Sequence, residues 1–574
     1  MNNKQKVLCA AMSVAGALAV FLFLRLEYAY HLHFHEQNQM FLFSLDYFRS
    51  VALIPGGTSD YLSRFLIQFF YYAGAGACII TALSLAVQLL TFACCPRRGM
   101  LEYALSFIPA GCMVIYMCDE NALLSAFIAI IFGLCAFIAA RRTGDGKWRF
   151  VCNLLLCPLL YFLCGSIGPI AFLAATAAGT KDWKSVAAGL FLVVLCAFVA
   201  SRHFSYPFTR LMFGTHYHRY HNVEPFWPWA ATVALCAVLV LDGVFARRQS
   251  GSGVVPAVLA WLLVAGGTVA GVAVFKDPVK EEMMKYNFLS RMEMWNKMIN
   301  CAVRQGPDVP MTVSCLNLAL GMTGQMGEHM FEFYQNGVDG LFPPYEREHV
   351  GPIPTSEIYW HLGFVNTSQR FSFAAQEVIP DFQKSARCFK RLVETNLVNG
   401  AYDVSRKYLE PLKYTLFYRK WALDTEKLLD NPELIPLHEL YGRQRDIMMK
   451  SRDFMYNDYE MDSMLGLLYL ENNSNRLALQ YLLAWCLLKK DLPRFYECYS
   501  QLYNGYAAKS YQEGVLVYWA QTHNGPEGLP PYISKENYDR FVKFVSDAKS
   551  KDRAYMEKKY SDTYWFYYYF RGGN

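Results

Sequence analysis

No Cys-x-x-Cys pair and no cysteine–histidine array with zinc spacing occurs in this chain, although it carries 17 cysteines, twelve of them before residue 276. That excludes a zinc ribbon and a thioredoxin-like dithiol, and Cys388, Cys486 and Cys498 fall in helical patterns where a small buried hydrophobe is expected. There is no basic block either: 54 Lys and Arg are interspersed with 48 Asp and Glu, so no nucleic-acid partner is expected. Strand-like alternation is scarce. Ionisable side chains are nearly missing from the long apolar runs, where Asp242 and the lone polar Asn153 stand out. A transporter that couples to ions needs charges along its path, so this scarcity disfavours transport.

What is present is an uneven distribution of hydrophobicity along 574 residues. Residues 1–275 hold apolar runs long enough to cross a bilayer, which takes about 20 residues each. From Lys276 onward charges enter every window. The expected organisation is a transmembrane domain over 1–275 and an extracytoplasmic helical-repeat domain over 276–574. Nine spans are predicted at 7–24, 66–94, 101–117, 121–140, 150–164, 167–179, 186–200, 228–246 and 254–275, of which 150–179 reads either as two spans or as one re-entrant feature. No small-x-small cleavage site follows the first run, so it reads as an uncleaved span. Lys4/Lys6, Arg97/Arg98, Arg141/Arg142/Lys147/Arg149, Lys181/Lys184 and Arg247/Arg248 all fall on one side of this arrangement, while the turns at 118–121 and 165–169 carry no Lys or Arg. By the positive-inside rule the amino terminus is cytoplasmic and the second half lies outside.

Two long outer loops, 26–65 and 201–227, hold seven of the twelve histidines. In the first, Glu36, Gln39, Asp46 and Ser50 share one side of a helix and Phe41, Leu45 and Phe48 another, the pattern of a helix lying at the membrane interface. Pro55-Gly56-Gly57 ends it, and Thr58, Ser59 and Asp60 offer an N-cap for the next helix. The second loop carries Arg202, Arg210, Arg219, His216, His218 and His221, and ends in Glu224-Pro-Phe-Trp-Pro-Trp229, an aromatic belt.

Three chemistries fit these residues. His31 and His35, four apart on one helical face, could join His216, His218 and His221 and a carboxylate such as Glu36 around a divalent metal; the same imidazoles also serve as plain hydrogen-bonding groups. Arg202, Arg210 and Arg219 could clamp a lipid phosphate, or pair with neighbours such as Glu224. Glu36 could act as a general base on an acceptor hydroxyl, or merely solvate its helix.

The run Glu36-Gln-Asn-Gln-Met-Phe-Leu-Phe, with Asp46-Tyr-Phe, Pro55-Gly-Gly and Asp60-Tyr-Leu-Ser-Arg-Phe-Leu, resembles an uncharacterised family of multi-span proteins from Bacteroidota, over most of the chain. That resemblance implies a Gram-negative inner (cytoplasmic) membrane, with the second half periplasmic. The layout is also distantly similar to the GT-C glycosyltransferases, which transfer sugars from polyprenyl-phosphate donors. Carried over, the resemblance makes Glu36 the first-loop acid and Asp119-Glu120 the acidic second-loop element. The chain departs from that pattern in having no Asp-Glu or Asp-x-Asp in its first loop and no Trp-Trp-Asp-Tyr-Gly in its second half.

The second half reads as helices at 281–304, 311–322, 385–397, 404–412, 415–429, 461–470, 476–488, 492–502 and 535–548. Gly400-Ala-Tyr-Asp-Val-Ser-Arg-Lys-Tyr-Leu and Asn475-Arg-Leu-Ala-Leu-Gln-Tyr-Leu resemble tetratricopeptide turns and second helices, so a degenerate helical solenoid is expected. Residues 337–354 read as an irregular loop, and Tyr564-Trp-Phe-Tyr-Tyr-Tyr-Phe570 as an aromatic segment that packs on the last helix or meets the bilayer. Two functions fit the whole: a GT-C-like transferase with a polyprenyl-phosphate-linked sugar donor, or a non-enzymatic anchor whose solenoid assembles envelope proteins.

Overall fold

The computed structural model describes residues 1–142, 147–214, 216–245, 253–344, 351–380, 383–450, 460–502, 507–523 and 525–571. Among them the chain is all-helical, and the one β-type pairing is an isolated antiparallel bridge between Ala122 and His218. The fold divides into two compact units. Unit 1 is Met1–Glu281 with two later segments, Ile379–Ala386 and Pro411–Lys420; unit 2 is Glu282–Val378, Arg387–Glu410 and Trp421–Asn574. The division falls inside the helix Pro278–Arg291.

Unit 1 runs through α1 (Asn3–Leu22, continued by a π-turn to Glu27), α2 (Ala29–Gln37), α3 (Leu45–Ala52), α4 (Gly57–Ile67), α5 (Ala73–Cys94), α6 (Met100–Leu105), α7 (Phe107–Tyr116), α8 (Ser125–Ala140), α9 (Lys147–Cys164), α10 (Ile167–Thr180), α11 (Trp183–His203), α12 (Phe208–Phe213), α13 (Phe226–Phe245) and α14 (Val254–Phe275). Among the described residues six helices are long and apolar enough to cross a membrane: Asn3–Glu27, Ala73–Cys94, Lys147–Cys164, Trp183–His203, Phe226–Val244 and Val254–Phe275. Three shorter apolar helices, Met100–Tyr116, Ser125–Ala140 and Ile167–Thr180, accompany them. Along α14 the exposed face is Val255, Leu259, Leu262, Leu263 and Val269, a surface suited to hydrocarbon rather than water. The protein is therefore a membrane protein in its first unit.

The core of unit 1 lies where α8 and α10 cross. Gly133 and Gly168 let the backbones meet: a Cβ on Gly133 would stand 2.2 Å from the carbonyl oxygen of Gly168. Close approach through small residues is how helices associate where lipid removes the hydrophobic drive. At the end of the bundle carrying Arg97, that residue pairs with Asp242 at 2.5 Å and with Glu102 at 3.0 Å, so Asp242 has a structural partner. Glu102 is a second acid in this region that the apolar pattern of 101–117 conceals.

Several local expectations change. The helix expected through Glu36 and Ser50 is broken: Asn38 turns its carboxamide back onto the Phe34 carbonyl at 3.1 Å, and residues 38–44 leave the helix to pair elsewhere, Phe43 N–H donating to Tyr414 O at 2.8 Å. The cap of α4 is Gly56 at φ +82°, not Thr58, Ser59 or Asp60; only glycine takes that backbone without strain, and the Ser59 hydroxyl donates to its carbonyl at 2.8 Å. The helix expected at 281–304 stops at Arg291 and restarts at Trp295. Glu293, at φ +51°, turns the chain and Met294 N–H closes onto Leu289 O at 2.9 Å, a Schellman-type stop. The helix expected at 415–429 begins only at Arg419, because Phe417 stacks on Tyr71 with centroids 4.8 Å apart within unit 1. Residues 345–350 of the expected loop, and Arg247/Arg248, lie outside the described residues; Pro352–Leu362 is helical, with proline at its first turn, where the missing N–H costs nothing.

Unit 2 contains packed helix pairs joined by short turns, Pro352–Leu362 with Val365–Val378 and Met461–Glu471 with Arg476–Leu488. Glu357, buried, bridges Arg387 at 3.0 Å and Arg391. The aromatic segment forms the helix Tyr564–Phe570, in which Tyr564, Trp565, Phe566 and Tyr567 are buried and Trp565 packs on Phe541 at 5.3 Å.

The α8/α10 crossing makes a direct prediction. Gly133→Val overpacks it and lowers stability by about 1–3 kcal/mol, read as a lower unfolding temperature in detergent. Gly266→Ala, on a part of α14 where nothing lies within 4 Å of the new Cβ, leaves that temperature unchanged or slightly higher.

Candidate functional site

The site is built on α2, whose nine residues could not hold a helix alone. Both ends are pinned by charges from far along the chain. At its start the Glu281 carboxylate accepts from Tyr30 N–H and His31 N–H, each at 3.0 Å. At its end Arg219 donates from Nη1 to Asn38 O at 2.5 Å and from Nη2 to His35 O at 3.4 Å. An acid at the amino end and a cation at the carboxyl end both match the helix dipole. Arg219 also fixes the turn before α8 through its own N–H, which donates to Asn121 O at 2.9 Å.

Arg219 is wholly buried, and among the described residues no carboxylate lies within ion-pair distance of it. Burial first, and the nearby Arg64 second, push its guanidinium down to about 10. Beside it, His31 and His35 are buried with their rings 4.9 Å apart, and His35 meets Phe70 edge-on. Burial holds the His31 imidazole down at about 4 and that of His35 well below its ordinary value, so both are neutral.

Glu36, on the same helix, is 4% exposed and accepts a hydrogen bond from the Tyr418 hydroxyl at 3.2 Å. Its neighbour Gln37 accepts at its carbonyl from the Ser385 hydroxyl at 2.5 Å. Asp46, by contrast, projects into solvent from α3.

A second cluster, which reading by motif does not pick out as a site, stands on α4. Asp60 and Arg64 pair at 2.7 Å, Tyr47 hydrogen-bonds to Arg64, and His216 Nδ1 lies 3.5 Å from Asp60. Burial alone would raise the Asp60 carboxyl, but Arg64 and His216 bring it below its usual value. His216 is held at about 4 by burial against the pull of Asp60. The available signal is the four-residue spacing of Asp60 and Arg64, which places them on one helical face. Arg64 opens onto a cleft of about 420 Å³ whose polar lining is Gln39, Tyr47, Ser50, Tyr206, Gln383 and Lys384, and whose apolar lining is Met40, Leu42, Val51 and Ile54. Next to it the outer face of α3 exposes Leu45 and Phe48.

The other expected residues are dispersed. Asp119 pairs with His218 at 3.2 Å and Glu120 with Lys280 at 2.7 Å. Arg202 lies over Phe198 at 5.0 Å, and Arg210 pairs with Glu224 at 3.4 Å, so the three arginines do not form one clamp. The His221 ring stands 5.3 Å from that of His216 and 5.7 Å from Tyr206. The histidines thus divide into a His31/His35 pair, a His216/His221 pair and His218 on Asp119. Among the described residues no group of three or more His, Cys, Asp or Glu is placed to hold a metal ion.

One family model matches residues 4–571, essentially the whole chain. The chain belongs to DUF6057, a family of unknown function. No curated protein and no solved structure matches it. Whatever this DUF6057 chain does must therefore be argued from its own geometry.

The buried neutral histidines set a pH dependence. His31 and His216 sit near 4 when folded against about 6.5 when unfolded. The unfolded chain binds the extra protons, so stability is full above about pH 6.5 and is lost as pH falls toward 4, by on the order of 2 kcal/mol per histidine at pH 5. Unfolding temperatures in detergent from pH 7.5 to 5 measure this; a flat profile would contradict the assignment.

Proposed function

We propose that this protein is a membrane transferase of GT-C-like layout that takes a polyprenyl-phosphate-linked sugar donor at the membrane–water interface. The observation that carries the reading is the closeness of two buried guanidinium groups, Arg64, paired with Asp60, and Arg219, held by carbonyl oxygens, beside a cleft next to the apolar outer face of α3. A local excess of positive charge in a desolvated setting favours an anion. An amphipathic helix at that position suits a headgroup whose tail stays in lipid.

In this reading the three shorter apolar helices also cross, the bilayer thinning locally to meet them, and bring the six long ones to nine spans. In the same reading the membrane is a bacterial inner membrane, the basic loops mark its cytoplasmic side with the amino terminus on it, and unit 2 lies outside as a degenerate tetratricopeptide-like solenoid that presents an acceptor. Glu36 is the acid/base group, with Asp119 and Glu120 as secondary acids already paired with His218 and Lys280. Metal plays no part in the reading. The alternative, a scaffold for envelope proteins, draws support from the burial of Glu36 against Tyr418, which is also how a structural carboxylate is kept.

The test is turnover of a labelled polyprenyl-phosphate sugar by detergent-purified protein. Glu36→Gln is expected to lower turnover at least 100-fold, the scale of a lost general base, without a change in the amount of folded protein. Full turnover in Glu36→Gln would remove Glu36 from the chemistry, and no turnover by the native protein with any donor would favour the scaffold.

A further inference from the structure

The cleft on α4 is a built site with open valences. Arg64 and Gln39 both line it and are 9% and 5% exposed. The Nη2 of Arg64 is engaged by Asp60, yet its Nε–H has no hydrogen-bond partner. Gln39 donates from Nε2 to the Arg64 carbonyl at 2.9 Å, which fixes the orientation of its amide and leaves Oε1 buried without a donor. A buried donor and a buried acceptor, both unmet, cost the fold free energy unless a ligand meets them.

The two atoms ask for opposite things. Arg64 calls for an acceptor, and with Lys384 on the same lining and Arg219 behind it, an anionic one. Gln39 Oε1 calls for a hydroxyl or amide donor. The remaining acids at this end are engaged elsewhere: Asp119 by His218, Glu120 by Lys280 and Glu36 by Tyr418. Met40 and Ile54 supply an apolar wall, and the volume of about 420 Å³ lies within the ~300–1,000 Å³ of small-molecule sites.

We infer that this cleft binds a phosphate ester carrying an adjacent hydroxyl-bearing group, with the phosphate on Arg64 and Lys384 and a hydroxyl donating to Gln39 Oε1. The inference deepens the transferase reading, on which it rests only for the lipid tail; the phosphate and hydroxyl positions rest on the cleft itself. It assigns the donor's phosphosugar to Gln39 and Arg64 of the first loop and to Lys384, and it leaves Arg202 and Arg210 out.

Four probes separate the parts of such a ligand in titrations against the full chain in nanodiscs: glucose 1-phosphate (phosphate and hydroxyls), farnesyl phosphate (phosphate and tail), octyl glucoside (hydroxyls and tail) and farnesyl phosphoglucose (all three). The last is expected to bind at least tenfold tighter than any of the others, with glucose 1-phosphate ahead of octyl glucoside. If glucose 1-phosphate equals the lipid-linked probe, the ligand is a soluble phosphosugar rather than a headgroup, and the tail assignment is overturned.

Lys384→Ala, an exposed position whose change leaves folding intact, should weaken every phosphate-bearing probe three- to tenfold and leave octyl glucoside alone. Arg64→Lys, which keeps the charge and removes Nε–H, should weaken the same probes more than tenfold. Gln39→Met should reduce farnesyl phosphoglucose to the level of farnesyl phosphate. Binding by none of the four, or equal binding in native, Lys384→Ala and Arg64→Lys proteins, overturns the site. Binding that follows these substitutions without turnover would instead defeat the transferase reading and leave the site standing. Turnover with KM unchanged in both variants would do the reverse.

Discussion

Arg219 is a full charge in a place that water does not reach, and the end of unit 1 that carries α2 and α4 depends on how that charge is accommodated. Its partners are carbonyl oxygens at the end of α2, supplied by His35 and Asn38, with the backbone bond to Asn121 as a third tie. One residue therefore fixes α2, the turn before α8 and its own loop relative to each other, the first through its side chain and the second through its backbone. Helix dipole and cation are mutually stabilising here, but a dipole end is weaker compensation than a carboxylate, while burial and then the nearby Arg64 work against the Arg219 charge.

The consequence travels to α4. Arg64 lies close enough to Arg219 for the two cations to oppose each other, and Asp60 is the carboxylate that keeps Arg64 charged. His216 and His221, neighbours of Asp60, come from the same loop as Arg219, so the histidines that look like ligands in the sequence serve to enclose the Asp60–Arg64 pair. Burial keeps His216 neutral, so it adds no repulsion. What remains is a site whose positive side faces a cleft, and whose one close acid is committed to holding that charge in place.

Much of the fold is legible in the sequence. Apolar runs mark the long helices of unit 1, and helical periodicity marks those at 461–470, 476–488 and 492–502 nearly to the residue. The failures are specific. Periodicity carried the helix of Glu36 through Asn38, because it registers apolar spacing and not the side-chain hydrogen bond that ends the helix. It likewise carried 415–429 back across Phe417, whose stacking on Tyr71 is a contact between residues more than 300 positions apart. Nothing local signals that Ile379–Ala386 and Pro411–Lys420 belong to unit 1. At the candidate site, residue type makes Glu36 and the histidines conspicuous, whereas Asp60 reads only as a cap. Asp60 and Arg64 on adjacent turns of one helix are an ordinary surface pattern until burial is known.

In the transferase reading the excess positive charge around Arg64 holds a phosphate. A structure of the protein in nanodiscs saturated with a lipid-linked phosphosugar tests it most directly. The account predicts phosphate density within hydrogen-bonding distance of Arg64 and Lys384, the sugar against Gln39, and the tail leaving past Met40 and Ile54 toward α3. Ligand density elsewhere on the molecule, with the α4 cleft unchanged, would contradict it.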